Sequence, residues 1–162
     1  MGDKYLTKKM SNITTDQIKE LRERTGISIA QCKQALEDAG GDMDKAVGLL
    51  KEAGAAIAEK KSSRELKAGT ISAYLHSNGL MGAMVQLHSE TDFVSKNPEF
   101  KALADEIAMH ITAMNPADID ELLAQPYIKD PSLTIDALIK NYVQKFGERI
   151  EVVRFSRFAT NS

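Results

Sequence analysis

A chain of 162 residues fits one ordinary domain or two small ones, and 43% hydrophobic with 27% charged residues is the mix of a globular protein, not a disordered one. A formal net charge of −2 and a pI near 5.9 speak against direct nucleic-acid binding, which draws its affinity from a basic excess. With aromatics at 6% and no Trp, the core must rest on Leu, Ile, Val, Ala and Met.

In chain order, Lys4, Lys8 and Lys9 lead into no apolar h-region and so do not read as a signal peptide. Thr14 followed by Gln17 is a capping box, Ile18 and Leu21 share a helix face, and Gly26 ends that helix. Ser28 with Gln31 repeats the device ahead of Cys32, Ala35, Leu36 and Ala39 at helical spacing, until Gly40-Gly41 breaks the pattern. Asp42 can cap a third helix, whose Ala46, Val47, Leu49, Leu50 and Ala53 are apolar. The spacing predicts a three-helix bundle over 12–55. A solvated helical linker with little to bury follows over 56–68.

The second domain is expected over 69–162. Ile71, Ala73 and Leu75 alternate on one face of a strand, Ser77-Asn78-Gly79 signals a turn, and Met81, Ala83, Val85 and Leu87 line the return strand. Glu90–Lys96 reads as a loop. Asn97 and Pro98 open a helix with Phe100, Leu103, Ala104, Ile107, Ala108 and Ile111 along one stripe. Another helix carries Ile135, Leu138, Ile139, Tyr142, Val143 and Phe146, stops at Gly147, and gives way to a strand over Arg149–Phe158. Strand, strand, helix, helix, strand makes an α+β fold, a small antiparallel sheet layered with helices.

Catalytic signals are poor. Phosphate-cradling glycine loops are missing, and His76, His88 and His110 are scattered without cysteine or carboxylate clustering, so no cofactor or metal is expected. Cys32 permits no intrachain disulfide and lies on an apolar stripe, where it reads as a small core residue. No apolar run approaches the ~20 residues of a bilayer span, so the expected setting is cytoplasmic. Glu90-Thr91-Asp92-Phe93-Val94-Ser95-Lys96 stands out. A loop Phe is either a plug tucked under its own fold or an anchor for a partner, and the residues alone slightly favour the plug.

Leu21-Arg22-Glu23-Arg24-Thr25-Gly26 and Cys32-Lys33-Gln34-Ala35-Leu36 resemble the opening signature of elongation factor Ts. Glu90-Thr91-Asp92-Phe93-Val94 resembles its second signature, and Phe146-Gly147-Glu148-Arg149-Ile150 with Arg154 is similar to the end of its core. The resemblance runs from about Ile13 to Phe158. It implies a translation elongation factor that binds elongation factor Tu carrying GDP and promotes nucleotide release without being an enzyme. It also implies that the N-terminal bundle is similar to ubiquitin-associated domains. Thr91, Asp92, Phe93 and Val94 inherit the disturbance of the partner's Mg²⁺ and phosphate site, and Lys19, Arg22, Ile29, Ala30, Lys33 and Lys61 match partner contacts. Longer members have a duplicated core and a protruding helical hairpin. Here one core unit is expected, and Asn115–Pro131 leaves little room for the hairpin. A homodimer through the final strand is the expected substitute for the second half. The competing reading is a protein-binding adaptor with no effect on nucleotide, and a hydrolase or transferase ranks behind both.

Overall fold

The computed structural model describes residues 12–161, so Lys4, Lys8 and Lys9 lie outside it. Two compact units divide the chain between Ala53 and Gly54.

In the first unit, α1 (Thr15–Thr25) begins with the predicted capping box. The Thr14 hydroxyl accepts from Gln17 N–H at 3.2 Å, while Gln17 Oε1 accepts from Thr14 N–H at 3.0 Å. Such a cap contributes about 1 kcal/mol by satisfying amides that the helix leaves open. Gly26 closes α1 in the left-handed region. Ser28 Oγ then accepts from Gln31 N–H to start α2 (Ile29–Asp38), and Asp42 Oδ1 accepts from Lys45 N–H at the head of α3 (Met43–Lys61). Leu21, Ile27, Cys32, Ala35, Leu36, Ala46 and Leu50 are buried together as this unit's core. Burial also raises the Cys32 thiol pKa, against smaller opposing effects of Thr25 and Arg22, which suits a packing residue and not a nucleophile.

The second unit takes up α3 at Gly54. A Cβ at Gly54 would stand 3.0 Å from Gln144 Oε1, so the missing side chain permits close approach to the helix carrying Gln144. The linker segment is helical as far as Lys61, but it does bury something: Ile57 and Ala58 pack on the larger core. Strands β1 (Ala68–Leu75) and β2 (Met81–Ser89) then form an antiparallel hairpin running from Ala68↔Ser89 to Leu75↔Gly82. After β2 come α4 (Asp92–Ser95), α5 (Pro98–Met114), α6 (Ile119–Ala124), β3 (Pro126–Tyr127), β4 (Asp130–Thr134), α7 (Ile135–Phe146) and β5 (Ile150–Ala159). β5 returns antiparallel beside β2, giving the order β1-β2-β5, with a register shift between Gln86 and Leu87. The apolar stripe of α5 is buried as read: Phe100, Leu103, Ala104, Ile107, Ala108 and Ile111 close one face of the sheet, joined by Ile135, Ile139 and Val143 of α7.

Two sequence expectations change. Ile71, Ala73 and Leu75 do share a face, but it is the open one, with Ile71 64% and Leu75 72% exposed. Directly paired residues project from the same face of a sheet. Because Ala83, Val85 and Leu87 point into the core, their partners Tyr74, Ser72 and Thr70 must turn inward with them. The other change falls between α5 and α7, where α6 and the β3–β4 hairpin appear unannounced. Leu122 and Tyr127 join the core from this segment, with Ile119 and Leu123 packed beside them, and polar bonds tie it to α5. His110, fully buried on α5, pairs through Nε2 with Gln125 Oε1 at 3.0 Å and through Nδ1 accepts from Ile128 N–H at 3.2 Å. Tyr127 donates to Glu106, and Lys129 reaches the same carboxylate at 2.7 Å. Among the described residues, no helix is long and apolar enough to cross a membrane.

Candidate functional site

The segment expected to be a loop is a single helical turn. Lys96 N–H bonds to Asp92 O at 3.0 Å and Ser95 N–H to Thr91 O at 3.2 Å, which closes α4 on itself. Val94 and Ser95 are 4% exposed and fasten the turn to the body of the unit. Phe93 points the other way. Its ring is 86% exposed, so Val94 fills the place a plug would take and Phe93 does not. Asp92 is likewise exposed, with Lys96 at 3.5 Å across one turn. An exposed phenylalanine gives up about 1.5–3 kcal/mol that burial would supply, and the rest of its fold makes no use of it.

The start of the turn is fixed by residues far away in sequence. Thr91 occupies the N-cap position, yet its hydroxyl makes no cap bond. Instead Thr91 Oγ1 donates to Glu148 Oε2 at 2.7 Å and Thr91 N–H donates to Glu148 Oε1 at 3.0 Å. A second bridge runs alongside. Arg149 N–H donates to Glu90 Oε1 at 2.7 Å, Arg64 Nη1 reaches Glu90 Oε2 at 3.3 Å, and the Arg149 guanidinium donates to Arg64 O. Desolvation acts to raise the Glu90 pKa. The Arg149 amide, Arg64 and the charge of Lys61 outweigh it and hold the carboxyl below its ordinary value. Gly147, at φ +70°, ends α7 and swings Glu148 and Arg149 back toward this point.

The candidates of the first unit are all exposed: Lys19 and Arg22 on α1, Ile29 (55%), Ala30 and Lys33 on α2. Lys33 stands 3.9 Å from Glu37, while Lys19 and Arg22 make no ion pair among the described residues. Lys61, in the second unit, is half-buried. Among the described residues no group of three or more His, Cys, Asp and Glu is placed to hold a metal ion. A cavity of about 320 Å³ lies near Ala58, Ile119, Ile139 and Val143, rimmed by the ion pairs Asp136–Lys140 and Arg149–Glu151. It is lined by neither histidine nor cysteine. Sequence reading passed over Arg64 and the work of Glu148. The signal available was the Phe146–Ile150 motif, which was noted without a role.

These features describe an α+β protein whose most exposed large apolar side chain, among the described residues, stands on a braced turn. A family model described as Elongation factor TS matches residues 90–162. The chain is 37% identical over 196 aligned positions to an elongation factor Ts of Herpetosiphon aurantiacus, covering 93% of this chain and 99% of that one. It is 40% identical over 190 positions to that of Thermodesulfovibrio yellowstonii, covering 90% and 95%. The elongation factor Ts of Trichlorobacter lovleyi is 41% identical over 149 residues, 92% of this chain but 48% of its own length, so the chain spans about half of that relative. This chain belongs to the elongation factor Ts family. The aligned lengths of 196 and 190 exceed its 162 residues, so those two relatives carry residues with no counterpart here.

Proposed function

We propose that this chain is a guanine-nucleotide exchange factor, which binds elongation factor Tu carrying GDP and loosens the nucleotide by disturbing the partner's Mg²⁺ and phosphate site. The observation that carries the reading is Phe93, held on a closed turn and left 86% in solvent. Thr91, Asp92, Phe93 and Val94 supply the intruding turn, Phe93 entering a partner pocket with Asp92 beside it. Lys19, Arg22, Ile29, Ala30, Lys33 and Lys61 supply the remaining partner contacts. The three-helix domain over 12–55, the linker over 56–68 and the core over 69–162 divide this labour. No acid, base or metal is needed. The factor lowers the affinity of its partner for GDP by being bound less tightly when GDP is present, and the two effects are equal by linkage.

A second copy of the chain is proposed as a further partner. β5 is an edge strand of the sheet, and Ile71, Leu75, Met84 and Phe158 are exposed on its strands.

Stopped-flow release of a fluorescent GDP from elongation factor Tu tests the function. The chain should accelerate release and leave the affinity of its own surface for free GDP undetectable by calorimetry. Stable association with elongation factor Tu at an unchanged release rate would instead favour the adaptor.

A further inference from the structure

We propose that Glu148 is the positioning residue that aims Phe93, acting through the backbone of Thr91; the role rests on the exchange reading given above. Glu148 is separated from Thr91 by 57 residues, and both of its carboxylate oxygens are spent on that one residue, one on the amide and one on the hydroxyl. A threonine at an N-cap ordinarily turns its hydroxyl onto its own helix. Here that bond is absent, and the hydroxyl is given to Glu148. Two contacts between rigid groups fix direction as well as distance, where a single contact would leave a swivel.

The surroundings make the bridge two-sided. Residue 90 receives the amide of residue 149 while residue 148 receives the amide of residue 91. The chain therefore crosses itself with a carboxylate on each side. Ser89 Oγ adds a bond to Thr91 O at 3.0 Å, so both backbone polar groups of Thr91 are occupied just before Asp92 begins the turn. The crossing thus gathers two carboxylates far apart in sequence, and Arg64, paired with Glu90 at 3.3 Å, together with Lys61 sets positive charge against them. Beyond Thr91, the exposed Phe93 ring has little packing of its own to orient it. Its direction is set by the backbone before it and by buried Val94 after it. Order prepared in the free chain is order that need not be imposed on binding.

The test uses the full chain with elongation factor Tu and fluorescent GDP. Glu148→Ala should slow accelerated release about tenfold, the size of one hydrogen bond to a charged acceptor. Glu148→Gln should restore most of the rate, because its amide oxygen accepts from Thr91 N–H and its NH₂ can donate to Thr91 Oγ1. Thr91→Val should fall between them. In the isolated chain, hydrogen exchange at the Thr91 amide should quicken in Glu148→Ala and stay slow in Glu148→Gln. Placed in a Phe93→Ala background, Glu148→Ala should add no further loss. An undiminished release rate with Glu148→Ala overturns the positioning role while leaving the exchange function intact, and so does an equal loss in the Phe93→Ala background. A parent chain that does not accelerate release overturns the function itself, whatever the Thr91 amide does.

Discussion

The two surfaces assigned to a partner are built in opposite ways. Lys19, Arg22, Ile29, Ala30 and Lys33 stand on helices whose caps come from residues three positions away, Thr14 with Gln17 and Ser28 with Gln31. Each helix there holds its own surface in place. The turn carrying Phe93 spans four residues and could not persist alone, since helix nucleation is unfavourable at that length. It borrows its geometry from Glu148 and Arg149, more than fifty residues onward. The surfaces differ in chemistry as well. One is mostly charged and open to salt; the other is an apolar ring beside a single carboxylate. A local surface tolerates change elsewhere in the chain, whereas the Phe93 turn depends on a distant segment staying docked.

The largest effect expected from this contrast comes from Phe93 itself. Truncating an interface anchor costs about 2–4 kcal/mol, so Phe93→Ala should slow accelerated GDP release roughly ten- to a thousand-fold. Because the ring is 86% exposed, the melting temperature should barely move. The neighbouring Val94→Ala should do the reverse, costing about 1–3 kcal/mol of stability through a buried void. Parallel melts and release rates on both variants decide it, and a Phe93→Ala chain that is destabilised but fully active at low temperature removes the anchor.

Arg22→Glu probes the other surface. Exposed charge pairs contribute about 0.2–1 kcal/mol each, so reversal should weaken partner binding a few-fold at low salt, roughly three- to tenfold, and less at high salt. The loss from Phe93→Ala should show little dependence on salt. Equal salt dependence for the two variants would erase the distinction drawn between the surfaces.

Acid should act on the second unit first. Burial lowers the His110 pKa, only partly offset by Gln125, so below its ordinary value of 6.5 the unfolded chain takes up a proton that the folded one refuses. Stability therefore falls as pH drops from about 6.5. The groups against His110 are Gln125, the Ile128 amide and the Tyr127 ring, whose hydroxyl in turn bonds to Glu106. Glu106 and Glu90 are both held below the usual 4.5 despite desolvation, by Lys129 and Tyr127 in one case and by Arg149 and Arg64 in the other. Their stabilisation is present above 4.5 and is lost as pH falls through the folded values. Thermal melts from pH 7.5 to 3.5 should show this slope, and His110→Gln should flatten its upper part. A parent chain equally stable at pH 7.5 and 5.5 would contradict it. The smallest effect concerns self-association: sedimentation should show a dimer that Phe158→Asp or Leu75→Asp returns to monomer, and a parent that is monomeric throughout would remove the second copy as a partner.

The contrast between local and distant support also explains what could be read from the residues. Caps, glycine stops and 3.6-residue stripes are short-range signals, so α1, α2, α5 and α7 are legible from Thr14, Ser28, Asn97 and Gly147 alone. The face of β1 was not legible, because Thr70, Ser72 and Tyr74 turn inward only through their pairing with Leu87, Val85 and Ala83. α6 and the β3–β4 hairpin escaped because they are too short for a period, and the partners that tie them to His110 and Glu106 follow no spacing rule. At the site, the Thr91-Asp92-Phe93-Val94 motif marked where to look, but only the exposures of Phe93 and Val94 speak against the plug. The bond from Thr91 to Glu148 joins two motifs that the sequence displays separately.

That long-range bond sets an order of events in folding. The N-terminal helices can close as soon as their own residues are available, but α4 waits for α7 to end and β5 to pair with β2. Contacts spanning so much chain carry a loop-closure cost before any reward, so this bond is expected to form late on the path to the native state. During synthesis Thr91 leaves the ribosome well before Glu148, so the Phe93 turn exists as a sequence before it exists as a shape. Mutations at Glu148 should consequently act on unfolding rates and leave folding rates nearly untouched, with φ-values near zero. On this order the second unit should be compact before Phe93 is aimed.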